Sequence, residues 1–398
     1  MKDPASSDPL FTPLDLPCGA RLSHRVLKAA MSDALGDGAG RPTDVQARLY
    51  ARWAEGGAAL CIVGEVQPLT DAAEAPGNLV LAPEADPEDF AKLTRSGRRG
   101  GTHLWAQLGH AGALTPPEIG RPRGPSALDL PGLNCAEIGA DEIRALPQIY
   151  AGAAQRARQA GFSGVEIHAA HGFLLSQFLS PLFNRRDDEY GGSLRRRMRL
   201  LLEVVEAVRA GVGPAFPVGL KINATDRLEG GTTEGDALEV LSSLEGLGLD
   251  LIDISGGTYF PGAPAASDGS GGGAYFRDVA ARAKRVVSAP VMLTGGIKTR
   301  AEAAGIVASG DADAVGLARA FALDPALPES WRAGREPAFP RFDSRPPGGL
   351  TAWYTQALRA IGEDRSMLPP PDPDAALTAM AARDAARRGR WIRRFGAP

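Results

Sequence analysis

Two histidines three residues apart, His168 and His171, stand directly after a short apolar run in the segment G-V-E-I-H-A-A-H-G at 164–172. They account for two of the chain's five histidines. The β-branched run at 165–167 reads as a buried strand. Two imidazoles at the end of one buried strand can offer two N–H donors to one oxygen atom. That is the arrangement that stabilises a developing oxyanion. A lone histidine there would be read as a satisfied structural residue; the pair favours a site. The spacing could also suit a metal, but no third ligand is evident. Glu166 is expected to point away from His168, and the acids at 187–189 fall in a polar loop.

Such a strand needs partners, and the chain supplies them at regular intervals. Short apolar runs occur at 26–31, 59–63, 102–108, 165–168, 218–222, 249–254, 290–294 and 313–317. Helical spacing falls between them, at 44–55 (with Thr43 as cap), 86–98, 141–160, 194–210, 234–246, 276–288 and 300–309. The helix after the eighth strand is expected near 324–333, or after the Pro-Pro-Gly-Gly break at 346–349. Strands alternating with helices imply parallel pairing through crossovers. Eight repeats without a Gly-rich dinucleotide fingerprint predict a closed (β/α)₈ TIM barrel, an α/β fold. Residues 10–22 predict an N-terminal hairpin, and 1–9 read as disordered. The barrel is expected to span 10–335, with a helical C-terminal extension over 336–398. The arginine-rich stretch 375–395 reads as a solvated helix face, with a subunit contact as the alternative. Two long inserts, 109–140 and 255–274, interrupt the pattern; the glycine run in the second reads as a flexible loop whose position leaves room for a lid.

Composition narrows the partners. The 398 residues carry a net charge of −3, which speaks against a nucleic-acid or membrane footprint built on basic residues. No run approaches the ~20 apolar residues of a membrane helix, and the N-terminus does not resemble a signal peptide. Three scattered cysteines, Cys18, Cys61 and Cys135, predict a reducing compartment and fall short of the usual four-thiolate cluster. The expected location is the cytoplasm.

In a barrel the chemistry sits at the C-terminal ends of the strands. There the chain places small residues for close approach to a flat ligand, Ala29, Ala30, Met31 and Gly64, with the hydroxyl of Ser32. Gln107 can donate and accept at once, as the edge of a heterocycle requires. Lys221 is a cation on an apolar run and needs a negative partner. Gly295, Gly296, Gly316, Ala318 and Arg319 follow strands seven and eight, where barrels commonly hold phosphate. Singly, each could be a tight turn or a surface residue. Together they describe a phosphate at one rim and a heteroatom-rich ring across the mouth, as in flavin mononucleotide (FMN). Pyridoxal phosphate, with Lys221 as its only good Schiff-base candidate, and a sugar phosphate are the competing ligands.

These segments resemble the Old Yellow Enzyme family of FMN-dependent NAD(P)H:flavin oxidoreductases, over roughly 10–335. The similar pieces are H-R-V-L-K-A-A-M-S at 24–32, A-Q-L-G-H-A-G at 106–112, I-H-A-A-H-G at 167–172, F-L-S-P-L-F-N-R-R-D-D-E-Y-G-G-S at 178–193, T-G-G-I at 294–297 and G-L-A-R at 316–319. The resemblance implies an FMN-filled barrel, NADH or NADPH as co-substrate, and hydride delivery to an activated alkene such as an enone. Ala29, Ala30, Met31 and Gly64 would line the isoalloxazine, Ser32 would tune it, and Gln107 would meet its pyrimidine edge. Lys221 would face N1 and O2, while Gly295, Gly296, Gly316, Ala318 and Arg319 would bind phosphate. His168 and His171 would hold the carbonyl oxygen of a small-molecule electrophile. Phe173, Asp33 and Tyr259 would border the substrate, and a homodimer is allowed for. Two departures matter. Phe173 stands where the family carries a proton-donating tyrosine, and Asp33 with Ala34 replaces an aromatic after strand one. A quinone or nitro reductase, a redox-neutral or oxidative tailoring enzyme, and a flavin-binding protein with lost catalysis are the readings that Phe173 keeps open. Tyr190 and Tyr259 are the alternative proton sources.

Overall fold

The computed structural model describes residues 8–263, 273–342, 346–366 and 372–396. Eight strands form its centre: β1 (Val26–Lys28), β2 (Leu60–Gln67), β3 (His103–Leu108), β4 (Gly164–Ala169), β5 (Val218–Asn223), β6 (Leu251–Ser255), β7 (Val291–Thr294) and β8 (Ala314–Leu317). Each pairs in parallel with the next, and β8 pairs back onto β1, so the sheet closes. Every residue of β2, β4, β5, β6 and β8 is buried, because helices cover the outside and packed side chains fill the inside.

The helices follow their local signals. Thr43 caps the helix Asp44–Glu55 by accepting from Gln46 N, and Thr233 forms a capping box with Asp236 ahead of Glu234–Leu244. The region 194–210 is split into Leu194–Arg197 and Arg199–Val212. Both places proposed for the last helix are helical, at Leu327–Arg332 and at Gly349–Gly362. The N-terminal hairpin is present, with Leu14–Asp15 antiparallel to Arg21–Leu22.

Two expectations change. Residues 8 and 9 are ordered: Asp8 caps the short helix Pro9–Phe11 and pairs with Arg300. The first insert carries its own small sheet, Arg123–Gly124, Leu128–Leu130 and Leu133–Glu137. The tail keeps the solvated face expected of it, with Arg388, Arg390, Arg393 and Arg394 exposed, and has a buried face as well. Its helix Pro373–Phe395 packs back on the barrel mouth, because Trp391 is fully buried and its Nε1 donates to Ile119 O (2.9 Å). Most of the glycine run of the second insert lies outside the described residues, and with it the reading as a lid. Among the described residues, no helix is long and apolar enough to cross a membrane.

Candidate active site

A trough runs across the C-terminal ends of the strands. Its inner half is lined by the turns after β7 and β8, including Gly295, Gly296, Gly316, Ala318 and Arg319. Its outer half, about 380 Å³, is lined by Ser32, Gln107, His168, Phe173 and others. Ala30, His171, Lys221, Tyr259 and Arg319 border both halves, which are therefore continuous.

The histidine pair is held from two strands. His168 is the penultimate residue of β4, and the backbone then turns through His171 in the left-handed region (φ 60°). That costly conformation is secured by His171 N donating to Asn223 Oδ1 (2.9 Å) and by Tyr259 N donating to His171 O (3.2 Å). The next residue must be glycine, because a Cβ on Gly172 would meet Thr258 Oγ1 at 2.4 Å. His168 Nε2 lies 3.1 Å from His171 Nδ1, and His171 Nε2 lies 3.0 Å from Ser255 Oγ. Phe173 packs its ring on His168 with centroids 4.8 Å apart, and Tyr259 meets Phe173 at 6.0 Å. Burial and then the Lys221 charge push His168 down to about 3; burial with His168 and Lys221 puts His171 well below the usual imidazole range. Both rings are therefore neutral at pH 7, each with one N–H.

Below them lies a buried ionic layer. Lys221 pairs with Asp253, both essentially unexposed. Burial opposes the lysine charge, but Asp253 and Glu166 outweigh it and raise its pKa. Asp253 also accepts from Thr294 Oγ1 (2.6 Å), and Gln107 Nε2 donates to Glu166 Oε2 (2.6 Å). Glu166 thus faces the barrel interior, contrary to the expectation from the sequence. Residues 166 and 168 are two apart on one strand and share a face.

Four of the proposed site residues do not fit as expected. Asp33 is 1% exposed and does not border the trough; its carboxylate accepts from Gln46 Nε2 (2.9 Å) and Leu35 N (2.9 Å). Ala34 takes the place at the cavity. Ala29 is fully buried against Gly316, in an apolar cluster with Leu27, Leu60 and Met292. Gly64 is not the end of β2 but part of a bulge between Val63 and Val66. A Cβ there would lie 2.6 Å from Met31 C, so its smallness admits the β1 backbone rather than a ligand. Tyr190 is remote from the trough and donates to Glu203 Oε2 (3.1 Å).

Other bordering residues carried no signal that was read. Glu65 follows Gly64 in the bulge, and a charge breaking the apolar run L-C-I-V-G-E-V was the available clue. Glu74, Tyr354, Thr355, Met380 and Asp384 come from a loop and from the two C-terminal helices. Burial raises Glu65 and Glu74 to about 8 each.

The donor set fits FMN. Gly295 (φ 122°) and Gly296 (φ 82°) form a turn open to only glycine, and a Cβ on Gly296 would meet Gly273 O at 2.0 Å. The glycine turn lies in the inner half and Gln107 in the outer, while Arg319 and Lys221 border both. A phosphate anchor, a cation and an amide edge in one continuous groove suit a phosphorylated flat heterocycle. Lys221, already paired with Asp253, is not the free amine that a Schiff base needs.

The barrel and its trough define a flavin-dependent oxidoreductase. The family model for the NADH:flavin oxidoreductase / NADH oxidase family matches residues 9–337, and the chain belongs to that family. It is an NAD(P)H-dependent flavin oxidoreductase of the Old Yellow Enzyme group, with FMN as cofactor. The NADH-dependent flavin oxidoreductase iliE of Hypocrea jecorina is 34% identical over 354 residues, covering 80% of this chain and 87% of its own. The NADPH dehydrogenase of Bacillus licheniformis is 32% identical over 331 residues, covering 82% and 94%. Of the longer NADH oxidase of Thermoanaerobacter brockii, 31% identical over 323 residues or 79% of this chain, the chain spans 49%. Among solved structures, morphinone reductase superposes with a TM-score of 0.73 at 27% identity, over 84% of this chain and 92% of that one. The old yellow enzyme homologue from Zymomonas mobilis gives 0.73 at 25% identity, over 86% and 98%.

Proposed function

We propose that the protein reduces an activated alkene, with the carbonyl oxygen of a small electrophile held by His168 and His171. The observation that carries this reading is the neutral histidine pair at the trough, beside the Lys221–Asp253 layer. Bound FMN supplies hydride chemistry between NADH or NADPH and the acceptor. Gly295, Gly296, Gly316, Ala318 and Arg319 anchor its phosphate in this reading, and Gln107, Lys221, Ala30, Met31 and Ser32 surround its ring. Residues 10–335 are the cofactor-binding barrel in this reading and 336–398 the extension, whose described helices roof the trough.

Phe173 favours a second reading. A phenyl ring packed on His168 excludes water but has no proton to give, so quinones or nitro compounds would be the better acceptors. A homodimer and a cytoplasmic location belong to the same proposal. Anaerobic titration with NADH and NADPH, followed by re-oxidation with cyclohexenone, a quinone and a nitroaromatic, tests it. Rapid re-oxidation by the enone supports the first reading; re-oxidation by the quinone alone supports the second. A flavin that no acceptor re-oxidises defeats both.

A further inference from the structure

We propose that Glu65 is the proton source behind the histidine pair: its acid form donates to His168 Nδ1, holds His168 with its own proton on Nε2, and replaces that proton when His168 gives it to a bound acceptor oxygen. This rests on the reading that His168 meets the acceptor oxygen.

The geometry begins with the bulge in β2. A bulge re-aims a side chain, and this one puts Glu65 (φ 30°) under the trough. Its Oε1 lies 3.0 Å from His168 Nδ1, both side chains being at least 95% buried. The contact lies off the axis of an Nδ1–H, since Nδ1 has no aligned acceptor. An Nδ1 lone pair points along that same axis, so the 3.0 Å separation, not alignment, couples the two groups. Gln67 has no N–H to spare for Glu65. In the orientation that satisfies both ends of its amide, Gln67 donates to Ala72 O (3.1 Å) and Gly109 O (2.7 Å). A Cβ on Gly109 would meet Glu65 Oε2 at 2.3 Å, so this glycine makes the room that the carboxyl group occupies.

The chain Glu65–His168–His171–Ser255 can run in two directions. With Glu65 as the acid, it donates to Nδ1, His168 Nε2–H points to His171 Nδ1, and His171 Nε2–H points to Ser255 Oγ. With Glu65 ionised, every bond reverses: the two nitrogens that meet an acceptor become lone pairs and repel an oxyanion. One carboxyl group thus decides whether the pair attracts its ligand. Burial holds Glu65 up at about 8, above its ordinary range. The groups that act on it are His168 and Glu166 from β4, Lys221 from β5, Glu74 from the following loop and Tyr150 from the helix Ala140–Gln159. Lys221 favours ionisation, but its charge is shared with Asp253.

The proton transfer balances. The His168 Nε2–H bond breaks and an O–H bond forms on the reduced acceptor, whose electrons come from the family's NAD(P)H reaction. The Glu65 O–H bond breaks and His168 Nδ1–H forms. The imidazole is neutral before and after; the cycle closes when a solvent proton enters at His168 Nε2 from the trough and the Nδ1 proton returns to the Glu65 carboxylate. An enol released this way takes its α-carbon proton from water, which fits a site with Phe173 in place of a donor.

The test uses FMN-loaded protein labelled with ¹⁵N-histidine. At pH 6.5, long-range ¹H–¹⁵N correlations should show His168 with its proton on Nε2, shifting to Nδ1 as pH rises through the Glu65 transition near 8. The Glu74 and Glu166 transitions fall in the same range, so assignment rests on loss of the tautomer shift in Glu65→Gln. A glutamine still donates to Nδ1 but has no proton to pass. Glu65→Gln should therefore keep the tautomer and phenol binding while slowing enone re-oxidation by on the order of 10²–10⁴. Re-oxidation by ferricyanide, which takes no proton, should be unchanged. An Nδ1–H tautomer at pH 6.5 in the wild type overturns the proposal, whether or not the variant folds. So does a Glu65→Gln enzyme with wild-type enone rate and pH profile. If the wild type reduces no enone, the proposed function falls, while the tautomer still decides the role of Glu65.

Discussion

His168 and His171 are 5.2 Å apart edge to face, with Phe173 against one of them. Removing either imidazole should remove one of two donors to the acceptor oxygen. His168→Ala and His171→Ala are each expected to weaken the charge-transfer band of a bound phenol and to slow re-oxidation by ~10²-fold or more. Flavin reduction by NAD(P)H, measured by stopped flow, should change less. Equal slowing of both half-reactions would contradict the assignment. At the neighbouring position, Phe173→Tyr puts a hydroxyl where the family resemblance leads one to expect a proton donor. Single-turnover enone re-oxidation should rise, by at most ~10²–10⁴, and quinone re-oxidation should not. Since Phe173 is only 4% exposed, the new hydroxyl must find its partner inside the trough. A wild type already fast with enones would show that the missing hydroxyl is not limiting.

Among the elements, the C-terminal helices distinguish this trough. The helix Gly349–Gly362 brings Tyr354 and Thr355 to the cavity, and Pro373–Phe395 brings Met380 and Asp384. The second helix is fastened at Trp391 and at Arg387, whose Nη1 donates to Ala34 O (2.6 Å). Trp391 packs with Ile119, Val80 and Phe395. Replacing a buried tryptophan by alanine typically costs about 3–5 kcal/mol. Here the loss falls on a peripheral cluster, so Trp391→Ala should free the helix and leave the barrel folded. Hydrogen exchange should rise in 373–395, phenol should bind several-fold more weakly, and FMN retention should be little changed. Unaltered phenol affinity with a freed helix would show that the roof does not shape the site.

For the whole molecule, the closed barrel has its cofactor groove on one face, so cofactor binding should couple to global stability. A ligand bound only by the folded state adds about 2.7 kcal/mol at one hundred times its dissociation constant. The protein should be yellow as purified, and its melting temperature should rise with added FMN. Arg319, over the Tyr354 ring at 5.6 Å, is the proposed phosphate anchor. Arg319→Ala should release FMN on dilution while the FMN-free melting temperature stays close to wild type. A colourless protein whose melting temperature ignores FMN would count against the cofactor reading.

The sequence by itself determined the eight strands, the closure they imply and the strand end that carries the histidines, because each depends on local period and strand-end rules. His168, Phe173, Gln107, Lys221 and Arg319 were legible for that reason. What only the tertiary structure decided concerns direction and distance. The bulge at Gly64 and Glu65 changes which side chain faces the trough, and no alternation rule announces a bulge. Asp33 turns inward because Gln46, thirteen residues on, supplies its donor. The tail's arginines suggested a solvated face; burial of Trp391 against Ile119, 272 residues away in the chain, brings that helix onto the barrel mouth. Contacts between residues so distant in sequence leave no periodic trace in it, and they set the roof of the trough and the acid beneath its histidines.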